Sequence, residues 1–266
     1  DGSVRAHMHA HVYHEGVARK GSNNVASLIM KTLRIMNALR ANDPGGKLVM
    51  FFDNCTGQNK NNTVLKLGAM LAELGYFEEV KMLFLIVGHT KNACDHLFNA
   101  LKKLFRSTNS FTMGTLLNKL DDSENVTVHE AVPEDFFDYS GFLGQWYRDL
   151  KGLVEANHVF IFSKSDGRVG NKFEVSIRKS NIDEHDPIRF DVVKKKNNAG
   201  PCAATLFEAV NERPTLIADA MATGLANISG LYLNLFKKVE MYTKFRPFVP
   251  EEYRDDVLYA KPKDVE

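Results

Sequence analysis

Hydrophobic and polar positions change period along this chain, and the changes divide its first half into alternating strands and helices. Residues 6–14 (AHMHAHVYH) read as a strand. Gly21-Ser22 then opens a helical pattern, with Ser22 as the expected N-cap and Val25, Ile29, Thr32, Met36 and Leu39 on one face. Pro44-Gly45-Gly46 breaks that helix. The apolar run Leu48-Val49-Met50-Phe51-Phe52 stops at Asp53 and predicts a central strand buried on both faces. A polar loop, Asn54 to Asn62, leads into a second helix whose apolar positions are Val64, Leu67, Leu71 and Leu74, closed by Gly75. Another two-sided strand, Val80 to Val87, runs into Gly88-His89-Thr90. Thr90 is placed to cap a third helix with Cys94, Leu97, Phe98, Leu101, Leu104 and Phe105 as its buried stripe. This order implies right-handed crossovers and a largely parallel inner sheet.

The second half is less regular. Residues 110–121 predict a short helix, 126–130 (VTVHE) a strand, and 134–153 an aromatic-rich helical stretch. His158 to Ser163 and Phe173 to Arg178 alternate as strands, and Ser165-Asp166-Gly167 between them suggests a hairpin. A third strand is expected over 187–194 and a helix from Pro214 to Leu235. The expected division is a core over 1–108 and a second part over 109–266.

Composition narrows this picture only a little. At 266 residues, with 44% hydrophobic and 25% charged residues, the chain has ordinary globular proportions. No apolar run approaches the roughly 20 residues of a membrane-spanning helix, so no membrane partner is expected. The start, Asp1-Gly2-Ser3-Val4-Arg5, lacks a signal pattern and a Met, so the chain is expected to be a piece of a longer protein. Three separated cysteines (Cys55, Cys94, Cys202) offer neither a disulfide framework nor a zinc C-x-x-C, which suits a reducing compartment. The net charge of +1 makes no global case for a polyanion. Basic residues do cluster at Arg178-Lys179 and Lys194-Lys195-Lys196, where a solvated surface is the commoner reading.

Two acidic residues stand where open α/β sheets place their ligands. Asp53 follows a buried strand and opens a polar loop; an Asx turn followed by a helix cap would explain it equally well. Asp95 lies near the start of the third helix, where complementing the helix dipole is the alternative. Adjacent parallel strands would bring both to one sheet edge, and two carboxylates there repel unless a cation lies between them. Oxygen ligands of this kind suit Mg²⁺ or Mn²⁺. Two such ions roughly 4 Å apart can drive in-line phosphoryl displacement. His89 is placed either to orient a phosphate or water, or to cap the strand end.

The strings Phe52-Asp53-Asn54-x-x-Gly57-Gln58-Asn59-Lys60-Asn61 and Gly88-His89-Thr90-x-x-x-x-Asp95 resemble transposon-derived eukaryotic domains of unknown function related to DDE-type transposases and integrases. Residues Tyr13 to Asn23 resemble the stretch before the first core helix of those domains, and Leu231 to Tyr253 their lysine-and-aromatic segment. The resemblance implies an α/β fold with an RNase H-like core, a mixed sheet with helices on both faces, and a C-terminal α+β extension. It implies strand cleavage or joining on DNA with Asp53 and Asp95 as metal ligands and His89 beside them. Asn54, Gln58, Asn59 and Lys60 would contact the substrate, and localisation would be nuclear. The family's first catalytic acid belongs on a strand before residues 6–14 and is not visible. Either the chain starts after that strand or this copy has lost the ligand. Glu15, which follows a strand and precedes the first helix, is the substitute metal ligand to consider, with a surface glutamate as the commoner explanation.

Other features carry competing readings. His7, His9 and His11 recur at period two and share one strand face; they could bind Zn²⁺ or simply line a half-exposed strand. Phe136, Phe137, Tyr139, Trp146 and Tyr147 could stack on unpaired bases, although their spacing suits core packing better. Lys164, Arg168, Lys172, Arg178 and Lys179, on the hairpin region, are the DNA-backbone candidates. DNA is the expected partner, self-association stays open, and no organic cofactor is expected. The rival reading is a catalytically inactive, domesticated relative that binds DNA or protein. A nucleotide-binding Rossmann enzyme would want a Gly-rich turn after its first strand, and no G-x-G-x-x-G or G-x-x-x-x-G-K-[ST] occurs.

Overall fold

The computed structural model describes residues 7–40, 46–86, 93–107, 109–121, 123, 125–163, 168–169, 172–182, 185–194, 212–228 and 233–263. The chain forms two compact units, each assembled from separate stretches. The first takes Asp1–Arg19, Lys91–Pro133 and Ser229–Glu266, and the second takes Lys20–Thr90 and Glu134–Ile228. The expected cut near residue 108 falls inside the first unit.

The second unit is a mixed α/β layer. Strands β2 (Lys47–Phe52) and β3 (Glu79–Phe84) run parallel, joined through helix α2 (Asn62–Glu73). Strand β3 pairs antiparallel with β5 (Val159–Ser163), β5 with β7 (Lys172–Arg178), and β7 with β8 (Ile188–Asp191). A two-residue strand, β6 (Arg168–Val169), pairs with the start of β7. The expected hairpin strands pair and the third strand forms, while the expected turn Ser165-Asp166-Gly167 lies outside the described residues; among the described strands the sheet is mixed, with one parallel pair, and not largely parallel.

Register explains the core. Val80 and Met82 of β3 lie opposite Phe162 and Phe160 of β5, which lie opposite Val175 and Ile177 of β7, and all six are buried. Helices α1 (Ser22–Ile35), α2 and α5 (Tyr139–Trp146) pack with them. Gly68 of α2 permits this contact: a Cβ there would meet Met82 Cε at 2.6 Å and Phe162 Cε2 at 3.0 Å. Strand β2 is an edge strand whose residues alternate, with Val49 and Phe51 47% and 64% exposed, so burial on both faces is corrected to one. An unbroken apolar run states the β propensity of a segment but not how many neighbours cover it.

Several helix readings shift as well. Gly21, not Ser22, occupies the N-cap of α1, and its buried side is Ala26, Met30 and Leu33 with Asn24 and Ser27. The face expected through Val25, Ile29 and Met36 is only partly covered. Ser27 is tolerated on the buried side because its Oγ donates to Asn23 O and accepts from Phe137 N. Helix α2 is buried throughout from Thr63 to Glu73 and stops at Gly75, whose φ of +74° is the left-handed value a helix terminus favours in glycine. The long helix expected over 134–153 shrinks to α5, after a 3₁₀ turn at Pro133–Asp135 and before helix α6 (Leu153–Ala156). Helix α7 (Arg213–Gly224) ends earlier than expected, and Asn227 bridges back to Phe137. The five clustered aromatics are core: Phe136, Tyr139, Trp146 and Tyr147 are buried and Phe137 packs against them, which leaves no ring face for base stacking.

In the first unit, β1 (Met8–Val12) does not join the β2–β3 sheet but pairs in parallel with β4 (Val126–Glu130). Ala10 and Val126 pack with Leu101 of α3 (Ala93–Arg106) and Leu120 of α4 (Met113–Asp121). The stripe expected on α3 is half realised. Leu101 is buried, whereas Phe98 and Phe105 are about half exposed beside an open cavity of about 310 Å³. The C-terminal part carries α8 (Leu235–Glu240), which runs on as a wider turn, Met241–Phe245, into short 3₁₀ turns. Tyr259 fastens this part by donating to Phe111 O at 2.6 Å.

Candidate functional site

The loop between β2 and α2 is built almost entirely from its own polar groups. Cys55 O accepts the amides of Gln58, Asn59 and Lys60 at 3.3, 2.8 and 2.9 Å, which folds the segment into a compact turn. Asn61 caps α2 by accepting from Val64 N at 3.1 Å, and its Nδ2 donates back to Thr56 O and Gln58 O. Asn62 Oδ1 accepts from Leu150 N at 2.8 Å and ties the loop to the segment after α5. Lys60 is buried; its Nζ donates to Glu155 O at 3.0 Å and lies 6.0 Å from the Phe84 ring centre. Burial lowers its pKa, and the Glu155 carboxylate opposes that shift.

Asp53 is the exposed residue at the mouth of this turn. Its Oδ1 accepts from Cys55 N at 3.3 Å, the Asx turn that was one of its two readings, and also from Asn59 Nδ2. Its Oδ2 takes no hydrogen bond among the described residues. Next to it, Asn54 Oδ1 is shielded from solvent and has no partner among the described residues. The loop thus brings Asp53, Asn54, Gln58, Asn59 and Lys60 together. Asn59 holds Asp53, and Lys60 serves as an internal anchor with its charge turned away from solvent.

The remaining candidates belong to other segments of the chain. Asp95 is exposed in the first turn of α3, where a negative charge complements the helix dipole. It belongs to the first unit, Asp53 to the second. Glu15, also in the first unit, is exposed and paired with Lys237 of α8. His89 and Lys164 lie outside the described residues, as do Lys195 and Lys196. Arg168 and Lys172 sit on β6 and β7, but their side chains are outside the described set. Arg178 is half-buried and Lys179 exposed, and both line a cavity of about 450 Å³ together with Asn157, His185 and Asp186. Lys194 is occupied in holding Gly144 O at 2.8 Å. Among the described residues, no group of three or more His, Cys, Asp or Glu side chains is arranged to hold a metal ion, and no helix is long and apolar enough to cross a membrane.

Two clusters escaped the sequence reading. Glu73, Tyr147 and Arg213 form a buried network: Arg213 Nε and Tyr147 OH both donate to the Glu73 carboxylate at 2.8 Å. The other is His129 of β4, which joins the histidines of β1. Period two in residues 126–130 could have shown that His129 shares a strand face with Thr127, but not which strand it would pair with.

Fold and site together define a mixed α/β protein with an acidic, amide-rich loop at the C-terminal end of a parallel strand. The chain belongs to the family described as Domain of unknown function (DUF7869), whose model matches residues 4–179, from before β1 to just past β7. No curated protein and no solved structure matches it.

Proposed function

We propose that this chain is the core of a transposase- or integrase-like protein that carries out metal-dependent phosphoryl transfer on DNA, with Asp53 as its principal metal ligand. One observation carries the reading: Asp53 stands exposed at the end of β2 with Oδ1 fixed by Cys55 N and Asn59 and with Oδ2 left uncommitted. A carboxylate oriented by the backbone and by an amide is pre-organised for a ligand without having spent both of its oxygens. The unpartnered Asn54 Oδ1 beside it is another hard oxygen, and such donors fit Mg²⁺ or Mn²⁺ over softer ions.

Asp53 and Asn54 would hold the ion, which supplies activation of the attacking oxygen and charge neutralisation at the transferring phosphate. Asp95 is the further ligand the motif pair calls for. Asn59 positions Asp53, and Gln58, whose side chain makes no hydrogen bond among the described residues, can donate to a phosphate oxygen. Arg178 and Lys179 supply positive charge for the DNA backbone. A nuclear location and an RNase H-like arrangement of the strands belong to the same proposal.

The alternative, an inactive relative that binds DNA or protein, draws support from Glu15. Its pairing with Lys237 engages the acid that would stand in for the missing first ligand. Mn²⁺ calorimetry on the wild type, Asp53→Ala and Asp95→Ala separates the readings. Binding that is lost in both variants, with circular dichroism unchanged and with Mn²⁺-dependent nicking of supercoiled DNA, is the expected result. A wild type that binds no Mn²⁺, or binding that survives both substitutions, overturns the assignment.

A further inference from the structure

The parallel pair β1–β4 sorts its residues cleanly. Even positions Met8, Ala10, Val12, Val126 and Val128 face the apolar cluster with α3 and α4. Odd positions carry imidazoles: His9 lies opposite Thr127 and His11 opposite His129, with His7 just before the strand. His9 Nδ1 and His129 Nε2 are 2.9 Å apart, and their rings are nearly parallel, 18° between planes at 5.2 Å. His11 stacks on the other side of this pair, 5.2 Å from His129. His7 is held apart, with Nε2 2.8 Å from Thr127 Oγ1.

We propose that His9 and His129 form a cross-strand chelate for a borderline divalent transition-metal ion, Cu²⁺ or Ni²⁺ ahead of Zn²⁺. Ligand chemistry sets the order: nitrogen sites favour Cu²⁺ among first-row divalent ions, and tetragonal sites of imidazole and water suit Cu²⁺ and Ni²⁺. Two imidazole nitrogens bound at about 2.0–2.1 Å to one ion lie about 2.9 Å apart when they subtend a right angle, and about 3.3 Å apart at a tetrahedral angle. The two nitrogens, 2.9 Å apart in a hydrogen bond, lie within the span that one ion can bridge. Without metal, the same two nitrogens share one proton in a hydrogen bond. When the ion binds, that proton moves to the other nitrogen of its ring, and both lone pairs point at the metal with the imidazoles neutral. Both side chains are held on paired strands, so little further ordering is needed. With two protein nitrogens, water completes the coordination, consistent with the lack of a ready group of three ligands among the described residues. The site uses neither Asp53 nor Asp95 and stands independently of the proposed phosphoryl transfer.

The test titrates Cu²⁺, then Ni²⁺, into the wild-type chain and into His9→Gln, His129→Gln and His11→Gln, with circular dichroism to confirm folding and electron paramagnetic resonance on the one-equivalent Cu²⁺ complex. Expected are one tight equivalent, hyperfine coupling from two imidazole nitrogens, and affinity reduced at least tenfold in His9→Gln and in His129→Gln but within threefold of wild type in His11→Gln. Glutamine keeps polarity and size close to histidine, so a folded variant that has lost the ion reports ligation. Affinity unchanged in a folded His9→Gln or His129→Gln chain, or a spectrum without two imidazole nitrogens, overturns the proposal.

Discussion

Replacing Glu73 with glutamine removes one negative charge from a fully buried ionic cluster and leaves its shape nearly intact. Glu73 closes α2, Tyr147 follows α5 and Arg213 opens α7, so the cluster ties three helical elements together. The Glu73 and Arg213 side chains are 1% and 5% exposed, which leaves the guanidinium almost no access to water as a substitute partner. Arg213 also donates to Trp146 O at 2.9 Å and lies 5.5 Å from the Trp146 ring and 5.4 Å from the Tyr147 ring, so it cannot swing out without unpacking both. Removing one partner of a buried pair costs about 3–5 kcal/mol, because the remaining charge stays buried and uncompensated. Against a typical total of about 5–15 kcal/mol, that is a large fraction of stability.

The assay is urea unfolding followed by tryptophan fluorescence. Trp146 is the only tryptophan in the chain and sits against Arg213, so it reports this region directly. With a urea slope of about 1–3 kcal/mol per molar, Glu73→Gln should lower the midpoint by more than about 1 M. Tyr147→Phe, which deletes only one hydrogen bond to a charged group, should cost about 1.5–3 kcal/mol. The paired replacement Glu73→Leu with Arg213→Met should recover most of the Glu73→Gln loss, since an apolar pair of similar volume has no charge to desolvate. A Glu73→Gln cost below about 1 kcal/mol, or a paired replacement worse than the single one, would refute this reasoning.

Two further expectations follow from the same unit. Burial first, and then the Glu73 carboxylate, raise the Tyr147 phenol well above its ordinary value of 10.0, while Arg213 pulls the other way. Below pH 10 the phenol is protonated in both folded and unfolded chains. Above it, the unfolded chain loses the proton first, so stability falls by up to about 1.4 kcal/mol per pH unit for this one proton. Urea midpoints taken from pH 8 to 11 should therefore fall more steeply for wild type than for Tyr147→Phe; parallel curves would exclude the effect. Asn61→Ala removes the α2 cap and two loop hydrogen bonds together and should cost about 1–2 kcal/mol in urea unfolding, the upper part of the range for a lost cap.

Local chemistry was legible in the sequence where the residues act on their immediate neighbours. The loop from Asn54 to Asn62 and the glycine stop at Gly75 follow from turn and cap preferences within a few positions, and strands β5 and β7 from their alternation. Readings that depended on distant partners failed. Nothing within residues 48–52 reveals that, among the described strands, β2 has a neighbour on one edge only, and nothing near residue 10 reveals that β1 pairs with β4, more than a hundred positions on. The face of α1 was misjudged for a related reason. Ser27 and Asn24 look solvent-facing until Phe137 arrives to donate to the Ser27 hydroxyl. Glu73 and Arg213 are 140 positions apart, and no local pattern joins them.

The string Asp53 to Asn62 supports a sharper argument than its polarity alone allowed. Asn59, Lys60, Asn61 and Asn62 are consumed in holding the turn: one steadies Asp53, one anchors on Glu155 O, one caps α2 and one reaches Leu150 N. A purely structural loop could stop there, with every polar group answered. This one leaves Asp53 Oδ2, Asn54 Oδ1 and the Gln58 amide over, at the exposed end of a parallel strand. Of the three, Asn54 Oδ1 is shielded from solvent, and a buried polar atom without a partner is unfavourable unless something else binds it. The residues that build the turn explain why the motif is amide-rich, and Asp53 Oδ2, Asn54 Oδ1 and the Gln58 side-chain amide are the groups that the proposed ligand would answer. That division makes Asp53 and Asn54, ahead of Lys60, the positions where substitution should separate function from folding.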